Sequence, residues 1–595
     1  MPQFCNVMTS LGVTVLIAMA VRSPADELSA ADNRPTAELL PESTIFYAEI
    51  PELSRVIDVV FEHPLRARVE QFEPVRAAVL KKEFLAFQGA REYVESRLGM
   101  SWREAIEGLT AQGISVAFDP VTEGLAVVIR AKDEKTLTHI VDVVMELARA
   151  DAKNKGKADP YQPQDYRGQT VYQVDKGYFA TLGDRLIIAS KSELGRGVID
   201  RVVDNGHGGK LADRGTFQAA GPHRPEDASL WAWVDVDWVR NKAAEDGKPF
   251  QTQTDNPLVE LLVGGLLDTF QKTPWLSGTF DIRTEGAALR FLAPQQAEWT
   301  TEAREYFYGP DGEGEAPALP PLNDGLFGLT TYRNVSEMWL RAGDLFSENM
   351  VDKLAEADAN LTLFFSGRDF GEDILGAFEP TLQIVAARQS FDADHPTPAI
   401  KLPAFAALFQ MRDPAATTRD LKRVFTSFVG FINVTGAMEG NPQLELDMPA
   451  AEGFQVVTSQ FLPRVGEEES REAPIQFNFS PTVAFAGNQF ILASTEGLAR
   501  ELAQATTNGF PEKPANTSAV LQGVTLREVL TDNQEHLIAK NMLEEGHSHE
   551  EAEQQIGLLL KGLSVLDGLS LDLTNQDNFL GLDVEIRLRK EVLSE

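Results

Sequence analysis

The octapeptide Gly183-Asp184-Arg185-Leu186-Ile187-Ile188-Ala189-Ser190 returns as Gly487-Asn488-Gln489-Phe490-Ile491-Leu492-Ala493-Ser494. Each copy runs into a short helical stretch with leucine at the same offset, Leu194 and Leu498. A chain that repeats itself in this way is constrained to build two similar units. Other pairs extend the correspondence: Ile106-Glu107-Gly108 with Ile374-Leu375-Gly376, Asp133 with Asp413 ahead of a helix, and Phe280-Asp281-Ile282 with Leu571-Asp572-Leu573. The offset grows from 268 at Ile106 to 280 at Asp133 and 304 at Gly183. The second copy therefore carries insertions, near 390–401 and within 434–475, the latter with the acidic run Glu467-Glu468-Glu469. Insertions confined to connections are what a duplicated domain tolerates. The period is too long for a solenoid and reads as a tandem pair.

Within the first copy, apolar β-rich runs alternate with helical spacing. Strands are expected at Ile45–Pro51, Ile114–Phe118, Leu125–Arg130, Thr170–Val174, Tyr178–Leu182 and Arg185–Ala189. The stretch 52–107 is helical in character, with Leu80, Phe84, Phe87, Tyr93 and Leu98 at amphipathic spacing. A helix over 134–150 places Leu137, Ile140, Val141, Val144 and Ala148 on one face. A helix at 257–270 and a hairpin of Gly278–Thr284 with Ala287–Leu292 close the copy. Strands joined by connections this short pair antiparallel. The fold class is α+β: two tandem related domains, each a mainly antiparallel sheet with helices packed on one face. The expected organisation is a signal peptide at 1–20, a polar tether at 21–39, the first repeat at 40–305, a Gly/Pro/Glu-rich linker at 306–324 and the second repeat at 325–595.

With 89 acidic against 54 basic side chains the net charge is −35. Such a surface repels phosphate backbones, which argues against nucleic acid as a partner, and it also opposes an anionic membrane surface. Leu11–Val21 is an apolar run of signal-peptide length, and Ala18-Met19-Ala20 offers a small-x-small cleavage site after Ala20. The expectation is export to the periplasm or cell envelope, with an uncleaved N-terminal anchor as the alternative. The single cysteine, Cys5, precedes the apolar run and would be lost on cleavage. The mature chain would then hold no disulfide, thiolate metal site or cysteine nucleophile.

No P-loop, G-x-G-x-x-G, G-x-S-x-G or H-E-x-x-H occurs. Gly206-His207-Gly208-Gly209-Lys210 lacks the spacing of a phosphate loop and reads as a turn. His547-Ser548-His549 lies among Glu544, Glu545, Glu550 and Glu551. Those groups could hold a divalent ion, but Ser548 and Glu551 form the S-x-x-E pattern that starts a helix, and the solvated helix start is preferred. In Trp231-Ala232-Trp233-Val234-Asp235-Val236-Asp237-Trp238, a strand would set Trp231, Trp233, Asp235 and Asp237 on one face. Carboxylate chemistry at Asp235 and Asp237 is the enzymatic alternative; aromatic packing is the preferred one. The sequence therefore assigns no catalytic, cofactor-binding or metal-ligating residue.

The opening Leu40-Pro41-Glu42-Ser43-Thr44-Ile45-Phe46-Tyr47-Ala48-Glu49-Ile50-Pro51, soon after a signal-like segment, and the later Gly183–Ser190 strand resemble a family of exported bacterial proteins built on a domain of unknown function. The resemblance covers about 40–295; the second copy, opening at Gly325–Tyr332, lacks the Tyr-x-Glu-x-Pro signature. It implies an exported α+β protein and no activity. The functional expectation is a non-catalytic binding or scaffolding protein of the cell envelope whose partner is another envelope protein. The alternative is a carrier of an apolar small molecule or lipid in a sheet–helix cavity lined by 257–270 and 421–432.

Overall fold

The computed structural model describes residues 34–594 apart from 72–74, 77–78, 205–207, 366, 392–396, 440–441, 463–473 and 506–513. The expected signal peptide, Cys5, most of the tether, Gly206 and His207, the acidic run at 467–469 and parts of both insertions lie outside the described residues. The fold is α+β, with antiparallel strand pairing and many helices. The chain forms two compact units: one runs to Asn241 and includes Pro274–Phe291, the other takes Lys242–Thr273 and Leu292–Ser594.

The first unit contains β1 (Phe46–Ile50), α1 (Leu53–Phe61), α2 (Lys82–Leu98), α3 (Trp102–Thr110), β2 (Ile114–Asp119), β3 (Gly124–Arg130), α4 (Glu134–Asn154), β4 (Gln162–Tyr166), β5 (Gln169–Val174), β6 (Gly177–Leu182), β7 (Arg185–Ala189), α5 (Ser192–Asp204), α6 (Gly215–Ala220), β8 (Leu230–Asp235), α7 (Val236–Glu245) and β9 (Trp275–Arg283). The strands lie in the order β4-β5-β6-β7-β3-β2-β1-β8-β9, and every neighbouring pair is antiparallel. In β3, Ala126, Val127, Val128 and Ile129 are all buried, because both faces of the sheet are covered at its centre. On one face Val127 and Ile129, with Tyr172, Phe179 and Leu186, pack against Leu137, Ile140, Val141 and Met145 of α4. The opposite face takes the shorter α5. A Cβ on Gly124 would lie 2.9 Å from Leu194, and one on Gly195 would lie 3.2 Å from Ala189.

The repeated octapeptide is a hairpin. Gly183 and Gly487 are each the first of two residues joining adjacent antiparallel strands, with φ of 56° and 58°. That left-handed conformation favours glycine, and glycine at the first loop position suits a tight primed turn.

The second unit contains α8 (Pro257–Lys272), β11 (Gly325–Tyr332), β12 (Phe378–Ala387), β13 (Ala404–Met411), α9 (Pro414–Glu439), β14 (Leu444–Asp447), β15 (Gln455–Phe461), β16 (Thr482–Ala486), β17 (Gln489–Ala493), α10 (Glu496–Gln504), β18 (Thr517–Gln522), α11 (His549–Leu563), β19 (Leu566–Gln576) and β20 (Phe579–Leu588); β10 (Gly286–Pro294) precedes β11 in the chain. Its strand order is β14-β15-β16-β17-β13-β12-β11-β18-β19-β20, again antiparallel throughout. Position for position, the order β14 to β19 repeats the order β4 to β9 of the first unit.

The division into units departs from the sequence expectation at 242–273, which was assigned to the first repeat. The reason is a buried ionic network inside the second unit. Arg304 Nε donates to Glu260 Oε1 at 2.9 Å and Nη1 to Asp268 Oδ1 at 2.8 Å. Tyr306 Oη donates to Glu260 Oε1 at 3.0 Å, and Asp268 Oδ2 accepts from the Thr301 backbone N–H at 2.8 Å. Burial alone would lower the Arg304 guanidinium, but the Glu260 and Asp268 carboxylates together hold it above its usual value. Removing Arg304 would strand two buried carboxylates, so α8 is tied to residues 301–306.

Candidate functional site

A hollow lies between α4 and the helices that precede β2 in the first unit. Local sequence signals set those helices. α2 stops at Gly99, whose φ is 68°. Two residues later Ser101 and Glu104 form a capping box: Ser101 Oγ accepts from the Glu104 N–H at 3.3 Å, and the Glu104 carboxylate accepts from the Ser101 N–H at 2.8 Å. The N–H of Ser101 holds the Glu104 carboxyl below its ordinary range. α4 begins at Asp133, which accepts from the Thr136 N–H at 2.7 Å. α1 joins α3 through Phe61, edge-on to Trp102 at 5.2 Å with Arg103 5.0 Å above its ring.

The apolar stripe of α4 serves two purposes. Leu137, Val141 and Met145 enter the close-packed core against the sheet. Ile140, Val144, Leu147 and Ala148, one turn apart along the helix, border the hollow. Its floor is Ile114, Ile129 and Val174 from three strands, and its other walls are Leu53, Phe61, Leu80, Phe84, Phe87, Leu98 and Ile106. The hollow is open to solvent and has a volume of about 1770 Å³. That exceeds the roughly 300–1,000 Å³ of ordinary small-molecule sites. Leu80 is 75% exposed and Phe87 64%, and α1 buries no residue. These side chains border space where a folded core would place other side chains.

The residues singled out in the sequence lie elsewhere. β8 ends at Asp235 and α7 begins at Val236, so the expected strand through Trp238 is shorter and Asp237 does not share a strand face with Asp235. The alternating Val-Asp-Val-Asp pattern hides a helix start: Asp235 Oδ1 accepts from the Trp238 N–H at 2.6 Å, and its other oxygen pairs with Arg214. Asp237 is half-exposed and pairs with Arg240. Neither borders the cavity. Trp231 and Trp233 are buried, edge-on to Phe217 of α6 at 5.8 and 5.3 Å. Ser548 and Glu551 form the expected capping box of α11. His547 Nδ1 meets Asn541 at 2.9 Å, while His549 lies 3.9 Å from Glu553. Among the described residues no group of three His, Cys, Asp or Glu side chains is placed to hold a metal ion. Of the Gly206–Lys210 segment, Lys210 pairs with Glu38 at 3.7 Å. The cavity is not lined by 257–270 or 421–432; it lies in the first unit, over 53–174.

The sequence shows the amphipathic stripes Leu80–Leu98 and Leu137–Ala148 but does not mark them as the walls of a hollow. Among the described residues, no helix is long and apolar enough to cross a membrane.

No family model matches the chain, and no curated protein matches it. Crystal forms I, III and IV of TP0453 are similar over 44% of this chain and 80–81% of theirs, at 7–8% identity and TM-scores of 0.23–0.25. A likeness of that strength carries no argument about fold or function.

Proposed function

We propose that the first unit is a binding module for an apolar small molecule or lipid, within an exported, non-catalytic protein of the cell envelope. The observation that carries this reading is the cavity of about 1770 Å³ walled by Phe, Leu, Ile and Val from four helices and three strands. Empty apolar space of that size forfeits dispersion contacts and leaves apolar surface in water. An apolar occupant recovers both. The export element draws its support from the Leu11–Val21 run and the Ala18-Met19-Ala20 site, and N-terminal sequencing of the native protein tests it: a mature chain should begin at Val21. The binding element is tested with N-phenyl-1-naphthylamine, a neutral fluorophore that brightens in apolar surroundings. Saturable enhancement at one site per chain is expected, and a response no greater than that of an apolar-cavity-free control protein would overturn the reading.

A further inference from the structure

The charge lining the cavity has the opposite sign to that of the chain as a whole. Among the described residues its charged lining is Arg66, Arg76, Arg91, Lys155 and Lys157 against Glu70 and Asp151, a net of +3, in a protein of net charge −35. Two of the cations are neutralised locally: Arg66 meets Glu70 at 2.7 Å and Lys155 meets Asp151 at 2.8 Å. The other three are held less closely or not at all by described acidic groups. Arg91 keeps only a long 3.9 Å contact with Glu95, and its Nε is buried without a hydrogen-bond partner. Arg76 and Lys157 have no acidic partner among the described residues. Most of the lining is apolar, with Thr110 a buried polar exception, and Arg76, Lys155 and Lys157 are exposed.

The described lining is thus mostly apolar and carries a net positive charge. Positive charge along a hollow of an acidic protein raises the local concentration of anions there and steers them in. We infer that the ligand of this cavity is an anionic amphiphile, with long apolar chains held between α2, α4 and the sheet and a carboxylate or phosphate head held by Arg76, Arg91 and Lys157. The inference rests on the apolar-ligand reading of the same cavity. A fatty acid and an anionic phospholipid share this chemistry, and the volume accommodates either.

The test is displacement of N-phenyl-1-naphthylamine from the full mature chain by oleate and by oleyl alcohol, which differ only in the head. Oleate should displace the probe at about tenfold lower concentration, the combined effect of several partly exposed charge contacts. That preference should shrink as ionic strength rises through the range where exposed charges are screened. In the triple variant Arg76→Gln/Arg91→Gln/Lys157→Gln the ratio should fall towards one, with circular dichroism confirming the fold. Equal displacement by both compounds in the wild type, or a ratio unchanged in the folded variant, overturns the anionic-head inference and leaves the apolar cavity in place. Displacement by neither compound, with no probe binding, overturns both. A parallel arm with phosphatidylglycerol in place of oleate distinguishes the two-chain from the single-chain source, and either one binding in preference to its neutral counterpart supports the inference.

Discussion

Filling the cavity from within separates open space from a packed core. Val144 and Ala148 lie one turn apart on α4, both half-buried and both bordering the hollow. In a close-packed interior, Ala148→Trp would force neighbours off their rotamers and cost about 1–3 kcal/mol. Over open space the indole instead gains apolar contact. A tryptophan buries about 200 Å² when fully covered. If about half of that area is gained here, at about 25 cal/mol per Å² the variant recovers roughly 2.5 kcal/mol. Thermal unfolding followed by circular dichroism should therefore show Val144→Trp and Ala148→Trp melting at or above the wild-type temperature. Both should weaken N-phenyl-1-naphthylamine binding by about tenfold, since about 55 Å² of lost ligand contact suffices at that coefficient. Variants that melt several degrees lower while binding is untouched would refute the reasoning, because they would show a filled interior and a probe bound elsewhere.

Breaking the buried network with Arg304→Ala should destabilise the second unit by about 3–5 kcal/mol, because Glu260 and Asp268 are left buried without their shared cation; a change below about 1 kcal/mol in urea unfolding would contradict it. Gly183→Ala and Gly487→Ala place a Cβ at left-handed φ with nothing within 4 Å of it. Each should cost about 1–2 kcal/mol by backbone strain, and equal penalties in the two units are expected if the hairpins are equivalent. Asp532 pairs with Arg388 at 2.6 Å, and that hydrogen bond holds its carboxyl below the ordinary range. Its stabilising contribution is present above the unfolded value near about 3.9 and is lost as pH falls through the lower folded value. Asp532→Asn should therefore reduce stability at neutral pH and flatten its loss below about pH 4. An acid-unfolding profile of unchanged steepness would count against this pairing.

Much of the architecture is written in local pattern. The strands of the β6–β7 hairpin, its glycine turn, the face of α4 and the Ser548 capping box all follow from spacing and from residue types with one dominant conformational use. Features decided by contacts distant in sequence do not. α8 belongs to the second unit because Glu260 and Asp268 meet Arg304, and nothing in its Leu/Val-rich sequence names that partner. β4 was missed because Gln162-Pro163-Gln164-Asp165-Tyr166 is polar and mostly exposed, an edge strand held by its pairing with β5. The end of β8 was misplaced because alternating Val and Asp fit a strand until Asp235 turns to cap α7. The cavity was misassigned for a deeper reason. An apolar stripe reports which side chains leave water, and it reads the same whether they meet other side chains or a ligand. The basic residues Arg76, Arg91 and Lys157 stand in the sequence of a strongly acidic chain, but only the fold brings them to the lining of one hollow.

Native mass spectrometry of the mature protein taken from its own cell envelope, without refolding or detergent wash, tests the central claim most directly. The account predicts a lipid-sized adduct on the wild type, released on activation in negative-ion mode as an anion, and a bare mass for Val144→Trp/Ala148→Trp expressed in the same cells. A bare wild-type mass, unchanged after incubation with excess phosphatidylglycerol or oleate, would contradict it.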